Sequence, residues 1–180
     1  ILRFATEDAG FLLSRGVKLV IVACHSASSS ALPELERRLP VPVLGVVEPG
    51  ARAAVRTTKS NRIAVIGTTA TIGTGAYEQA IRRLKRNVEI IAKPTPLFVP
   101  LAEEGWLDNE VAEAAAGRYL TGLSEEGVDT LLLGCTHFPL LARVIGRVVG
   151  PAVALVDSAE ETAASAEELL AGQGLLSPGG

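Results

Sequence analysis

The chain contains no methionine, only two cysteines, two histidines and a single tryptophan among its 180 residues. The net charge is −3 and no basic stripe stands out, so the composition argues against a nucleic-acid partner. No apolar run reaches the roughly 18 residues that a membrane span needs, and no signal-peptide pattern is present. The sequence therefore predicts a cytoplasmic protein without a membrane partner, in which both cysteines are free thiols.

The residues that are present are typical of a globular protein, with 48% hydrophobic and 21% charged residues. The chain opens at Ile1 in a pattern that already has helical spacing, and no initiator methionine precedes it. We therefore expect that an N-terminal segment has been removed or was never included.

Apolar runs alternate with amphipathic stretches along almost the whole chain, which predicts alternating strands and helices. The predicted strands are 17–24, 41–46, 62–66, 88–92, 128–133 and 153–156. The predicted helices are 2–15, 28–39, 51–59, 76–85, 109–126, 139–149 and a last one that Ser158 begins in a capping box with Glu161. Irregular structure is predicted at a 48–50 turn and over 93–105, which contains three prolines. Repeated strand–helix units favour an α/β fold with a parallel sheet, whose ligand site lies at the carboxyl ends of the strands.

The two cysteines, Cys24 and Cys135, each close an apolar run that reads as a buried strand. Both histidines of the chain, His25 and His137, lie within two residues of a cysteine. A nearby imidazole or helix N-terminus lowers the pKa of a thiol, so this grouping favours a catalytic pair. Two thiols in one cleft could remove a proton from one face of a substrate carbon and add one to the other. The alternative is that each cysteine is simply a small buried hydrophobic residue.

The same four side chains are potential zinc ligands. Neighbouring side chains such as those of Cys24 and His25 diverge, however, and the chain has no Cys-x-x-Cys or His-x-x-x-His spacing. The sequence therefore predicts no metal site.

Two further segments carry polar side chains that suit an acidic ligand. The segment GTTATIGTG at 67–75 follows a predicted strand and precedes a helix, as phosphate-binding loops do, but it lacks their glycine and lysine spacing. Its hydroxyls, from Thr68 and Thr71, suit a carboxylate, and plain helix capping is an equal alternative. Glu103 follows the proline-rich loop, and its alternative is a solvated carboxylate near a helix end.

Six segments in order resemble the aspartate/glutamate racemase superfamily, and the one around Cys135 is similar to its glutamate racemase branch. The resemblance covers nearly the whole chain and is carried by VACHSAS (22–28), GVVEPG (45–50), IGTTATI (66–72), PLFVPLAEEG (96–105), GCTHFPLL (134–141) and VDSA (156–159).

The resemblance implies an α/β fold of two similar doubly wound parallel-sheet domains with the site between them. The first domain would comprise 1–47 plus 157–180, and the second 48–156. The family carries Asp-Ser-Gly and Pro-Tyr-Gly motifs upstream of the point that corresponds to Ile1, and neither occurs here. We therefore expect the first domain to be incomplete at its N-terminus, and the activity of the 180 residues alone stays open.

The resemblance also implies the chemistry. It makes Cys24 and Cys135 the two acid/bases of a cofactor-independent isomerase that converts L-glutamate to D-glutamate for peptidoglycan, with His137 and Glu103 assisting near the second cysteine. The residues implied to bind the substrate are His25, Ser26, Thr68, Thr71 and Thr136. No pyridoxal is expected, because no lysine lies at a strand end or in a candidate motif.

One residue departs from the family pattern. The first cysteine motif usually reads Cys-Asn-Thr, whereas this chain has a histidine, His25, in place of the asparagine. Two alternatives stay open: a sister racemase that acts on aspartate or a hydantoin, and a non-catalytic domain that binds an acidic ligand. The sequence leaves the oligomeric state open, with a homodimer as one alternative.

Overall fold

Helices and strands alternate over residues 1–177, the part of the chain that the computed structural model describes. The strands are β1 (Val20–Val22), β2 (Val43–Gly45), β3 (Arg62–Gly67), β4 (Glu89–Pro94), β5 (Thr130–Gly134) and β6 (Ala154–Val156). The helices are α1 (Leu2–Ser14), α2 (His25–Arg38), α3 (Val47–Thr57), α4 (Thr69–Gly73), α5 (Ala76–Leu84), α6 (Phe98–Glu103), α7 (Glu110–Leu120), a 3₁₀ helix (Phe138–Leu141), α8 (Ala142–Val149) and α9 (Ala159–Gly172). Within these residues no helix is both long and apolar enough to span a membrane.

The strands form two parallel sheets, which confirms the predicted α/β class with two parallel-sheet units. β1 pairs with β2, and the other four strands are ordered β4-β3-β5-β6. Side chains of β3 and β5 are buried on both faces, as their unbroken apolar runs require. Ala64 and Ile66 pack with α6, α7 and α8 on one face, whereas Ile63 and Val65 pack with α3 and α5 on the other.

The two central strands approach each other most closely where they end. Gly67 of β3 lies opposite Gly134 of β5. A Cβ atom at position 134 would lie 2.5 Å from the carbonyl oxygen of Ile66, so only glycine fits there. The residues that follow, Thr68 and Cys135, therefore leave the sheet side by side.

The structure differs from the predicted elements where prolines are involved. The predicted turn at 48–50 is part of α3, and the predicted loop at 93–105 contains the end of β4 and all of α6. Both predictions are wrong because Pro49 and Pro100 lie in the first turns of their helices, where the missing N–H would have no intrahelical acceptor. The predicted helix at 109–126 ends at Leu120, and Ser158 does not cap α9 through its side chain.

The C-terminal helix α9 contacts both sheet units, because it packs against α3 and β2. The Arg56 guanidinium donates to the Glu161 carboxylate at 2.9 and 2.5 Å, and Arg52 Nη2 donates to Ser165 Oγ at 2.6 Å. The assignment of 157–180 to the first domain, and of 48–156 to the second, stays a prediction. Residues 178–180 lie outside the described residues.

The partly buried carboxylate of Asp129 connects the start of β5 to the turn before β3. Asp129 accepts hydrogen bonds from Thr58 Oγ1 at 2.7 Å, from Thr130 Oγ1 at 2.9 Å and from the backbone N–H groups of Lys59 and Ser60 at 2.7 and 2.6 Å. Partial burial opposes ionisation, but these donors outweigh it and hold the pKa of Asp129 well below its usual range.

We expect Asp129→Asn to lower the free energy of unfolding by about 1–3 kcal/mol at pH 7, since hydrogen bonds to a charged group are lost. Because the folded pKa is depressed, this contribution is present above the unfolded pKa of about 3.9 and is lost as the pH falls below it. Urea unfolding at pH 7 and pH 3 measures the difference, with the exposed Asp8→Asn as the matched control. Equal urea midpoints for Asp129→Asn and wild type at pH 7 would contradict the stabilising role.

Candidate active site

Cys24 lies at the carboxyl end of the smaller sheet and is exposed. It is the N-cap residue of α2, with an extended backbone, and its carbonyl accepts the N–H of Ser28 at 2.8 Å. Ser28 fixes this turn, since its hydroxyl donates to the Val22 carbonyl at 2.6 Å and accepts the Val46 N–H at 3.1 Å. The first cysteine is thus held at the point where β1, β2 and α2 meet.

Cys135 follows β5 directly and is 7% exposed. Burial is the main cause that raises the pKa of its thiol, and the charge of Cys24 raises it further. The backbone N–H groups of His137 and Phe138 and the Thr136 hydroxyl oppose this shift. The Cys135 thiol is therefore harder to ionise than an exposed cysteine.

His137 and Glu103 form a chain of polar groups behind the second cysteine. His137 Nδ1 lies 3.7 Å from Cys135 Sγ, within hydrogen-bonding distance for sulfur, and Nε2 lies 3.4 Å from Glu103 Oε1. Glu103 ends α6, and its side chain is 64% exposed. A thiol, an imidazole and a carboxylate in this order can orient the ring and pass a proton to or from sulfur.

Three hydroxyls form a closed triangle beside the first cysteine. Ser26 Oγ lies 2.9 Å from both Thr68 Oγ1 and Thr71 Oγ1, which are 3.0 Å from each other. Thr68 also caps α4, because its hydroxyl accepts the Thr71 N–H at 3.1 Å. Thr68 therefore both caps α4 and belongs to the hydroxyl triangle. The three O–H groups can rotate toward an acidic ligand.

His25 and Thr136 line a cleft of about 400 Å³ together with Asp157 and Ser158. Thr136 is exposed, and its hydroxyl lies 3.5 Å from His137 Nδ1. His25 is only 4% exposed, and its Nε2 lies 3.1 Å from Ser158 Oγ, whereas its Nδ1 is buried without a protein partner. Burial lowers the pKa of His25 to about 4, although the charge of Asp157 opposes this shift. The ring is therefore neutral near pH 7.

The structure thus joins the predicted site residues into three groups of contacts. One group contains Cys135, Thr136, His137 and Glu103, the second contains Ser26, Thr68 and Thr71, and His25 is linked to Ser158 in the third. Cys24 lies outside these three groups, and its backbone carbonyl accepts the N–H of Ser28. Over residues 1–177, no cluster of three or more His, Cys, Asp or Glu side chains could hold a metal ion.

Two residues near these groups were not predicted. The sequence predicts Ser158 only as a helix cap, although it lies in the segment VDSA that resembles the family. Tyr77 is fully buried below Gly134, where a Cβ atom would lie 3.2 Å from its ring. Burial raises the pKa of Tyr77 further above its usual range, as do the charges of Cys135 and Asp157. Only the packing of α5 under β5 brings Tyr77 there, so no local sequence signal could have shown it.

Comparison with known proteins identifies related sequences. The family model described as Asp/Glu/Hydantoin racemase matches residues 4–166. A curated glutamate racemase of Geobacter metallireducens is 56% identical over 176 residues, which are 98% of this chain and 65% of that protein. The chain therefore spans just under two thirds of the length of that relative.

Solved structures of similar proteins share the fold. A glutamate racemase isoform from Bacillus anthracis superposes with a TM-score of 0.93 at 36% identity, over 98% of this chain and 66% of that one. A glutamate racemase from Francisella tularensis, solved in complex with D-glutamate, superposes with a TM-score of 0.91 at 30% identity, over 99% of this chain and 66% of that one.

The lowered pKa of His25 makes a pH-dependent contribution to stability. Between about pH 6.5 and 4 the unfolded chain binds a proton at this residue that the folded chain does not, so stability falls as the pH drops through this window. The full loss of unfolding free energy across this window is about 3 kcal/mol. Urea midpoints at pH 7, 6, 5 and 4 measure it. The variant His25→Gln, which cannot titrate, should show a shallower dependence, and an unchanged slope would assign the effect to other groups.

The two thiols should differ in reactivity. We expect Cys24 to be alkylated by iodoacetamide several-fold faster than Cys135 near pH 7, because it is exposed while burial raises the pKa of Cys135. Peptide mass spectrometry on a time course measures both rates in one sample, so each cysteine is the control for the other. Equal rates, or faster alkylation of Cys135, would contradict this description of the site.

Proposed function

The chain belongs to the Asp/Glu/hydantoin racemase family, and we propose on that premise that its protein interconverts L-glutamate and D-glutamate. The single observation that carries the proposal is the polar chain at Cys135, where His137 Nδ1 lies 3.7 Å from Cys135 Sγ and His137 Nε2 lies 3.4 Å from Glu103 Oε1. The substrate is proposed from the 56% identity with a curated glutamate racemase and from the D-glutamate bound to the Francisella enzyme.

The proposed reaction uses the two sulfur atoms as a pair of bases. One cysteine, as thiolate, removes the α-proton of glutamate and becomes a thiol, while the other, as thiol, gives its proton to the opposite face of the α-carbon. The raised pKa of Cys135, to which the charge of Cys24 contributes, supports this division because it favours a protonated Cys135 when Cys24 is the thiolate. The reverse reaction exchanges the two roles.

His137 and Glu103 would serve the second cysteine. With Nδ1 3.7 Å from Cys135 Sγ, the imidazole can accept the thiol proton and return it, and Glu103 at 3.4 Å from Nε2 stabilises the ring when it is charged. This assistance matters because burial raises the pKa of Cys135 and so opposes formation of its thiolate.

The substrate carboxylates and ammonium would bind to uncharged groups. The hydroxyls of Ser26, Thr68 and Thr71 can redirect their protons toward a carboxylate without a change of charge. Thr136, the residue after Cys135 in the chain, lines the cleft that Asp157 and Ser158 also line, and its exposed hydroxyl offers one more polar contact. Groups fixed before the reaction lower the barrier for a weakly acidic carbon more than mobile water does, so no cofactor enters this scheme.

A racemase of this kind would supply D-glutamate for peptidoglycan, and that role is part of the proposal. Two alternatives predict different results: the family model also names aspartate and hydantoin as substrates, and a non-catalytic domain would bind an acidic ligand without turnover. The kinetic preference among glutamate, aspartate and a hydantoin decides between the racemases, since the ratio of kcat/KM values measures the discrimination.

We expect Cys24→Ala and Cys135→Ala each to lower kcat for racemisation by at least about a hundredfold, since a positioned acid or base contributes roughly 10²–10⁴-fold. Circular dichroism follows both directions of the reaction, and in deuterated water each enantiomer should acquire deuterium at the α-carbon as it is converted. Ser30→Ala, on the exposed side of α2, is the matched control. Near-normal turnover in either cysteine variant would refute the two-base scheme, and glutamate binding without exchange would favour the non-catalytic alternative.

A further inference from the structure

The two residues after Cys24 extend to opposite sides of the strand that carries Cys135. Ser26 meets Thr68 and Thr71, which follow β3, whereas His25 meets Ser158, which follows β6. In the sheet order β4-β3-β5-β6, these two strands are the neighbours of β5. We propose that His25 and Ser158 form a positioning link that sets the place of the Cys24 thiol relative to the Cys135 thiol.

The two cysteines belong to different sheets, so their relative position depends on side-chain contacts such as those of Ser26 and His25. β1 and β2 pair only with each other, so no strand pairing among the described residues connects the Cys24 turn to the four-stranded sheet. β6 is paired to β5 in register, with Leu132 opposite Val156. A hydrogen bond between His25 and Ser158, two residues after Val156, therefore fixes the position of the Cys24 turn relative to the strand that Cys135 follows.

The chemistry of His25 suits a rigid link better than a surface contact. His25 is 4% exposed and Ser158 is also buried, so little water reaches their 3.1 Å hydrogen bond. The neutral ring carries one N–H and one bare nitrogen, so the contact made by Nε2 also sets the state of Nδ1. Asp157 and Tyr77 are the ionisable groups of neighbouring elements that face this ring.

The two ring nitrogens can be tested separately. In a histidine-to-glutamine change, the amide nitrogen takes the place of Nε2 and can keep the contact with Ser158. In a histidine-to-asparagine change, the shorter amide takes the place of Nδ1 and cannot reach Ser158. His25→Gln should therefore preserve the link, whereas His25→Asn and Ser158→Ala should break it, and Ser30→Ala is the control on the same helix.

The first measurement needs no enzymatic activity. Thiol crosslinkers of graded length are applied to each folded variant, and mass spectrometry gives the fraction of Cys24 joined to Cys135 at each length. We expect wild type, His25→Gln and Ser30→Ala to share one sharp length optimum, and His25→Asn and Ser158→Ala to give lower yield over a broader range. The double variant His25→Asn/Ser158→Ala should resemble the single variants, because one link is broken in all three.

The second measurement rests on the proposed function. We expect His25→Asn and Ser158→Ala to lower kcat on the order of tenfold to a hundredfold with a smaller change in KM, since misplaced reacting groups slow the chemical step. His25→Gln should lower kcat less than His25→Asn does, because it can keep the contact with Ser158, and Ser30→Ala should retain the wild-type kcat.

The outcomes separate the proposal from the proposed function. An unchanged crosslinking profile in folded His25→Asn and Ser158→Ala overturns the positioning link whatever the kinetics show. Altered profiles together with a wild-type protein that does not racemise glutamate keep the link and refute the racemase function. A normal His25→Asn with a raised KM in His25→Gln overturns the link as well, because His25 would then act on the substrate through Nδ1.

Discussion

The close approach of β3 and β5 at Gly67 and Gly134 is the constraint on which the rest of the site depends. A side chain at position 134 would collide with the backbone at Ile66, so the two strands end together and at the same level. Cys135 and Thr68 then leave the sheet as neighbours. The half-buried imidazole of His137 and the hydroxyl triangle that includes Thr68 are both built on those two strand ends.

The two cysteines differ in burial and in their surroundings, although each follows an apolar run in the sequence. Cys24 is exposed at the N-terminus of α2, whereas Cys135 is buried beside the ring of His137 and above Tyr77. Burial raises the pKa of Cys135, and the charge of Cys24 raises it further. The two cysteines thus have similar sequence contexts but different surroundings in the fold. This difference suits the proposed reaction, in which one sulfur is protonated while the other is not.

Much of the site could be predicted because strand ends and nearby histidines are local features. The placement of Cys24, Cys135, His137 and Thr68 follows from apolar runs that stop at small or hydroxylic residues. The predictions are wrong at residues whose type is compatible with more than one local structure. The sequence predicts irregular structure at Pro49 and Pro100, but the first turn of a helix accepts proline. It predicts a helix cap at Ser158, but the Ser158 hydroxyl contacts His25 instead.

The sequence by itself determined the alternation of strands and helices, the positions of the two thiols along the chain and the likeness to a racemase family. Those properties depend on hydrophobic period and on short segments, which are readable in one dimension. Only the tertiary structure decided that Glu103 reaches His137, that Ser26 meets Thr68 and Thr71, and that His25 is neutral and bound to Ser158. Each of these contacts joins residues far apart in the chain, and burial, which sets the ionisation of a side chain, exists only once the sheets and helices have packed.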